Sequence, residues 1–167
     1  FKFDLSFFER QYNQNHIIEI IKLYNNEIKN IFNIDEEDDK LTSFVFQRDK
    51  PYQTKGIIKD GLHIMYPYIV CEPNVQHYIR KCVLKNIHNV LKDLSFKNDN
   101  NKALEKIYED VIDKAVIYTN GWLLLGSNKP GLDSYELTYI FDYDVDEMSI
   151  EEYHFDGSTN ICSFFSI

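Results

Sequence analysis

Hydrophobic residues recur three and four positions apart in three stretches of the chain. The first begins at Asn13, whose side chain suits an N-cap, and predicts a helix over residues 13–31. The second begins at Pro73, which a first helical turn tolerates, and predicts a helix over residues 73–90. The third covers residues 104–111. Each stretch therefore predicts an amphipathic helix with one face on a core.

Strands are predicted where β-branched and aromatic residues cluster or alternate with polar ones. Residues 42–46 and 57–65 form two such runs, and residues 122–125 a shorter one. Residues 135–143 show the most regular alternation, which predicts a strand with one polar face. Residues 1–5 fit the end of a further strand. Strands and helices are interspersed, so we expect an α/β or α+β fold with helices packed on a sheet.

Composition favours a folded domain. The chain has 167 residues, 44% of them hydrophobic, which argues against disorder. No apolar run reaches the ~18–20 residues of a membrane helix, and no charged-then-apolar leader opens the chain. Three cysteines without CxxC spacing argue against a disulfide framework or a zinc knuckle. We therefore expect reduced thiols in an intracellular protein without a membrane partner.

The formal charge of −9 argues at first against a nucleic-acid partner, because phosphate binding needs a basic surface. The acidic run 35–39 is read as a solvated loop, since no glycine-hinged loop accompanies it to make a calcium or magnesium site. Binding is local, however, whereas net charge sums over the whole surface. Five basic residues are candidates to line one cleft: Arg10, Lys55, Lys59, Lys114 and Lys129.

Three groups of residues suggest chemistry. Lys59, Gly61 and His63 share one face of a predicted strand, where they offer a triphosphate a charge, a bare backbone and a hydrogen-bond donor. Taken alone, they are more simply read as a partly exposed sheet edge. Asp113 lies at the predicted end of a helix, where the dipole disfavours a carboxylate, so it is a candidate metal ligand. The Gly-flanked turn 126–131 is a weak phosphate-binding signal, because it lacks the order of a Walker loop.

Taken in order, three segments resemble the archaeo-eukaryotic primase domain found in primase–helicases of large DNA viruses of poxvirus, asfarvirus and giant-virus type. The segments are KDGLHIMYP (residues 59–67), IDKAVIYTNGWLLLGSNKPG (residues 112–131) and YELTYIFDYD (residues 135–144). Residues 9–24 resemble the segment after that family's first catalytic motif. The joint pattern is more specific than any one segment.

This resemblance implies an RRM-like catalytic sheet with flanking helices over residues 1–144, and an acidic tail or the start of a next segment over 145–167. It also implies primer synthesis on single-stranded DNA from nucleoside triphosphates, with Mg²⁺ or Mn²⁺ in a two-metal site. A helicase in the same protein, oligomers formed through it, and a location in the host cytoplasm or at a viral replication site are further expectations.

The resemblance assigns roles residue by residue. His63 matches the motif histidine that contacts phosphate, and Asp113 matches the third metal-binding acid. The other nucleotide-contacting positions are Lys59, Gly61, Asn120, Ser127 and Lys129.

The sequence departs from the family pattern at the first motif, an Asp-x-Asp pair. The register of residues 9–13 puts that pair just before Phe1, which would make Asp4 a bystander rather than a metal ligand. Two other hypotheses follow. One is a catalytically inactive primase-like module that binds nucleotide or template. The weaker one is a metal-dependent nuclease that uses His63 and Asp113.

Overall fold

The computed structural model describes residues 1–34, 39–96, 102–118, 128–144 and 149–152. Within these residues, six antiparallel strands form a sheet with helices packed on it, which confirms the predicted α+β class. The strands are β1 (Lys2–Leu5), β2 (Ser43–Gln47), β3 (Tyr52–Thr54), β4 (Ile57–Met65), β5 (Glu136–Asp144) and β6 (Ser149–Glu152). The helices are α1 (Gln14–Lys29), α2 (Pro73–Leu84), α3 (Ile87–Leu91), α4 (Leu104–Val111) and α5 (Ala115–Tyr118).

Strand β4 organises the sheet, whose order is β1-β4-β2-β5-β6. Its first half pairs with β1, in a register that sets Lys2 opposite Gly61, and on its other side with β3. Its second half pairs with β2, which sets Phe46 opposite His63. The β3–β4 turn has positive φ at Lys55 and Gly56, a conformation that favours glycine at the second position. The predicted phosphate-binding residues of β4 thus lie near the middle of the sheet.

The two faces of the sheet have different neighbours. The helices cover the face that carries Leu62, and together they form the main core. The opposite face carries His63, which follows Leu62 and therefore points the other way. That face holds a smaller cluster of buried residues: Phe44, Phe46, Tyr135 and Ile140.

The first predicted helix is confirmed as α1. The Asn13 side chain accepts a hydrogen bond from the His16 backbone N–H, and His16 Nδ1 lies 3.3 Å from the Asn13 nitrogen, so the N-cap is a reciprocal capping box. Ile31 lies beyond the helix and is 37% exposed. The predicted stripe is therefore one residue too long.

The prediction of one helix over residues 73–90 is wrong, because α2 ends at Leu84 and α3 begins at Ile87. Ile79, Val83, Ile87 and Leu91 are all buried, and they recur every four residues across the break. The apolar stripe stays in phase there, so its periodicity cannot reveal the turn. Helix α4 has the predicted bounds, but its first residue is exposed rather than packed.

The strands predicted over residues 42–46 and 57–65 are confirmed as β2 and β4, whereas residues 122–125 lie outside the described part of the chain. Strand β5 departs from its predicted alternation. It sets Tyr139 opposite Val45 but Leu137 opposite Phe46, so that Thr138 is an extra residue. This bulge puts Leu137 on the His63 face, while Tyr139 packs against the main core. Strands β3 and β6 and helix α5 were not predicted.

A buried ion pair joins the segment after β1 to β4. Asp60 is 3% exposed, and its carboxylate accepts hydrogen bonds from Arg10 Nε at 2.8 Å and Nη2 at 3.2 Å. The same Nη2 donates to the backbone carbonyl of Arg48 at 2.6 Å. Arg10 is thus a structural partner of Asp60, which corrects the expectation that it is a cleft cation.

The structure bears on two further expectations, about membrane helices and about the cysteines. None of the helices in the described ranges is long and apolar enough to cross a bilayer. Cys71 and Cys82 carry free thiols, and Cys162 lies outside the described residues.

We expect the substitution Asp60→Asn to lower the free energy of unfolding by about 3 kcal/mol, because it leaves the partly buried Arg10 guanidinium without its counter-charge. Urea denaturation measures the change. Asp93→Asn, at an exposed position, is the matched control and should change little. Equal stability of the two variants would show that the ion pair is not important for the fold.

Candidate functional site

His63 lies in the second half of β4, on the sheet face away from the main core. Its ring stacks on that of Tyr135, with centroids 4.1 Å apart and planes 20° apart. The bulge in β5 makes this contact possible by turning the start of that strand onto the His63 face. The imidazole is half-buried and has a defined ring plane.

Burial, together with the nearby positive charges of the amino terminus, Arg48 and Lys129, lowers the pKa of His63 to about 4. The imidazole is therefore neutral at pH 7. A neutral imidazole has one N–H donor and one acceptor nitrogen. Such a ring suits hydrogen bonding to a phosphate oxygen rather than ion pairing with it.

Asp113 lies between α4 and α5, two residues beyond the end of α4. Its Oδ1 accepts a hydrogen bond from the Ala115 backbone N–H at 3.0 Å, and its Oδ2 lies 3.9 Å from Lys2 Nζ. The side chain is 29% exposed. Asp113 therefore lies at the C-terminal end of α4, as predicted, and its carboxylate also accepts a hydrogen bond from the first residue of α5, which the sequence analysis did not predict.

His63 and Asp113 line one cavity of about 330 Å³ beside Phe1, the residue before β1. Aromatic and aliphatic side chains make up most of its wall, and Arg80 contributes a charge. The structure thus brings together the two residues predicted to be catalytic, although they are 50 positions apart in the sequence.

The remaining predicted site residues are placed as follows. Lys129 is exposed just before β5, and its charge acts on His63. Lys59 is partly buried on β4, opposite Asp4. Asn120 and Ser127 lie outside the described residues.

Gly61 was predicted to let a nucleotide approach the backbone closely, but this residue is buried. A Cβ atom built there would lie 2.8 Å from the Phe1 carbonyl oxygen and 3.4 Å from the Tyr135 hydroxyl. Any side chain at this position would force the β1 backbone to move. The packing of neighbouring groups therefore accounts for a glycine here without a ligand.

In the described part of the chain, no three acidic, histidine or cysteine side chains come together to hold a metal ion. Asp113 brings one carboxylate to the cavity, and Asp4 is not among the residues that line it. The described residues alone do not fit a two-metal site.

The sequence analysis missed Tyr135 and Arg48 as members of the site. Both are buried. The Arg48 guanidinium carbon lies 4.1 Å from the centroid of the Tyr135 ring, and its positive charge acts on His63. An arginine directly after a strand of buried residues was the available signal, since a buried charge needs specific partners. The β5 bulge that turns Tyr135 toward His63 has no local sequence signal.

Comparison with known proteins identifies relatives. The family described as the C962R protein N-terminal AEP domain matches residues 1–141. Over 123 residues, 72% of this chain, the sequence is 33% identical to "Putative helicase L207/L206" of Acanthamoeba polyphaga mimivirus. The match spans about 12% of the length of that viral protein.

We expect His63 to titrate at a pH of about 4 in an NMR titration, and to make the fold less stable in acid. Its folded pKa lies below the ordinary value of 6.5, so the unfolded chain binds the proton more readily. Stability is therefore complete above pH 6.5 and falls as the pH approaches 4, by about 2 kcal/mol after solvent screening of a partly exposed ring.

His63→Gln is the control for this prediction, because it removes the titrating group. The difference in unfolding free energy between pH 7 and pH 4 should be smaller in this variant by that amount. A His63 pKa near 6.5 would contradict the burial described for the ring.

Proposed function

Because the chain belongs to the archaeo-eukaryotic primase (AEP) family, in the group described as the C962R protein N-terminal domain, we propose that it synthesises primers on single-stranded DNA. The reaction would be nucleotidyl transfer from nucleoside triphosphates, with Mg²⁺ or Mn²⁺. The observation that supports this most is the shared cavity of His63 and Asp113.

The proposed roles follow from the chemistry of each group. A neutral His63 donates its N–H to a phosphate oxygen of the incoming nucleotide. Lys129 and Lys59 supply positive charge to the triphosphate, and Lys129 already acts on His63. Asp113 is the acid proposed to bind metal. Gly61, Asn120 and Ser127 keep the nucleotide-binding roles that the family resemblance implies.

The additional acids of a metal site are proposed to precede Phe1. The Phe1 nitrogen donates to the Leu62 carbonyl at 2.8 Å, and the Leu62 nitrogen donates back at 3.3 Å, so the two residues are paired. If β1 extended further toward the amino terminus, the residue directly before Phe1 would pair with His63. The residue three positions before Phe1 would pair with Met65. Both side chains would lie on the His63 face. This spacing suits an Asp-x-Asp pair.

Binding of the DNA template is proposed for the same face. Lys2 on β1 and Lys59 on β4 both lie on the His63 face, and Lys129 is close enough for its charge to act on His63. These cations would give a locally positive surface in a chain whose net charge is −9.

The partners of a longer protein are also proposals. The mimivirus relative is named as a helicase and is much longer than the matched segment. We propose that this domain acts beside a helicase in the same polypeptide, and that any oligomer forms through the helicase. Synthesis would then take place at a viral replication site, in the host cytoplasm or elsewhere in the cell.

A second candidate function is a catalytically inactive module that binds nucleotide or template. The observation in its favour is that Asp113 is the single carboxylate among the described residues that line the cavity. The two functions differ in whether the longer protein carries acids before Phe1.

We expect a longer protein that includes the residues before Phe1 to extend primers on single-stranded template with Mn²⁺ or Mg²⁺. His63→Ala and Asp113→Asn should each lower the rate about 10²-fold or more, since each removes a group that contacts nucleotide or metal. His88→Ala and Asp110→Asn, both at exposed positions, are the matched controls and should retain activity. Gel analysis of primer products measures the rates.

The outcomes separate the hypotheses. Full activity of the His63 and Asp113 variants would refute their assignment. Nucleotide binding without synthesis would favour the inactive module. Metal-dependent cleavage of DNA without any need for nucleotides would identify a nuclease.

We expect the 167-residue chain alone to bind single-stranded DNA weakly and with strong salt dependence. With about three phosphate contacts, affinity should fall roughly tenfold to twentyfold between about 50 and 200 mM salt. Lys59→Gln with Lys129→Gln should flatten this dependence, whereas Lys81→Gln with Lys85→Gln on α2 should not. Salt-insensitive binding in fluorescence anisotropy would contradict the proposed surface.

A further inference from the structure

Four planar groups are stacked beside the proposed nucleotide site. The His63 ring lies on the Tyr135 ring at 4.1 Å. The Arg48 guanidinium carbon lies 4.1 Å from the centroid of Tyr135 and 4.9 Å from that of Tyr52. We call these four side chains the stack. A stack of this kind restricts each member to one plane.

Arg48 anchors the stack by hydrogen bonds. Its Nε donates to the Asp133 carbonyl at 2.9 Å, and its Nη1 donates to the Tyr135 hydroxyl at 3.1 Å. Its own carbonyl accepts from Arg10, which is paired with Asp60. Arg48 is therefore held through its guanidinium to Asp133 and Tyr135, and through its backbone carbonyl to the Arg10–Asp60 ion pair.

Among the described residues, Arg48 is a buried cation without an ion-pair partner. The residue is 5% exposed, and within the described residues no carboxylate forms an ion pair with it. A buried cation without a counter-ion raises the positive potential around it. A bound anion near His63 would relieve this cost.

Tyr135 has little freedom to leave His63. It is 7% exposed, and the β5 bulge sets it on the His63 face. Its hydroxyl lies 3.4 Å from the position that a Cβ atom on Gly61 would take, so the glycine leaves room beside this hydroxyl.

We propose that Tyr135, held by Arg48, is a positioning residue that fixes the ring plane of His63 so that its N–H meets a triphosphate oxygen. This inference rests on the proposed nucleotide-binding role of His63. Tyr135 itself contacts the imidazole and not the substrate. Arg48 acts through Tyr135 and through its uncompensated charge.

Two measurements on the 167-residue chain test this proposal. The first is the NMR position of the His63 ring protons, which a stacked phenol ring moves upfield. The second is the affinity for inorganic triphosphate without divalent ions, which reports the anion-binding groups alone. Urea denaturation shows that each variant is folded.

The variants separate ring stacking from packing. Tyr135→Leu should move the His63 ring protons downfield and weaken triphosphate binding about tenfold, the loss of one charge-assisted hydrogen bond. Tyr135→Phe keeps the ring and should preserve both readouts. Tyr143→Leu is the matched control, since that tyrosine also lies on β5 beneath a cation but packs against the main core. It should change neither readout.

Arg48→Met provides an independent test if Tyr135→Leu does not fold. It removes the charge but keeps most of the volume, and should also weaken triphosphate binding about tenfold. Unchanged His63 ring protons in Tyr135→Leu, or unchanged affinity in a folded Arg48→Met, would overturn the proposal. If His63→Ala binds triphosphate as well as the wild type does, the proposed phosphate-binding role of His63 is refuted. The NMR measurement on Tyr135→Leu still tests whether Tyr135 fixes the His63 ring.

Discussion

The buried ion pair between Arg10 and Asp60 is the interaction on which the arrangement of the site depends. It places a carboxylate on the core face of β4, one residue before Gly61 and three before His63. Because Arg10 also binds the Arg48 carbonyl, the pair links the segment after β1 with the residue after β2 and with the interior of β4. These are the elements that position the imidazole. The His63 face is thus organised by an ion pair on the opposite face of the sheet.

Much of the fold follows from sequence pattern. The stripe after Asn13 and the apolar run of β4 gave correct elements, because burial of one face needs that periodicity. The break between α2 and α3 and the bulge at Thr138 did not follow, because each depends on contacts distant in the sequence. Local pattern predicts which residues are buried better than it predicts where an element is interrupted.

The parts of the site that could be predicted are those that residue type and position in the sequence indicate. His63 and Asp113 were chosen from strand alternation, helix position and family resemblance, and they do line one cavity. Asp113 lies at the end of α4 as predicted, but its hydrogen bond to the Ala115 backbone N–H could not be predicted, because α5 itself was not. The contribution of Tyr135 needed the β5 bulge, which only the three-dimensional pairing reveals. The net charge of −9 does not describe how charge is distributed, since Lys2 and Lys59 both lie on the His63 face of the sheet.

The most direct test of this account is a crystal structure of a longer protein, including the residues before Phe1, with a nucleoside triphosphate and Mn²⁺. The account predicts phosphate oxygens within hydrogen-bond distance of His63 and Lys129, and Mn²⁺ bound to Asp113. It also predicts an imidazole still stacked on Tyr135. A nucleotide bound away from the His63 face, or Mn²⁺ bound without Asp113, would contradict it.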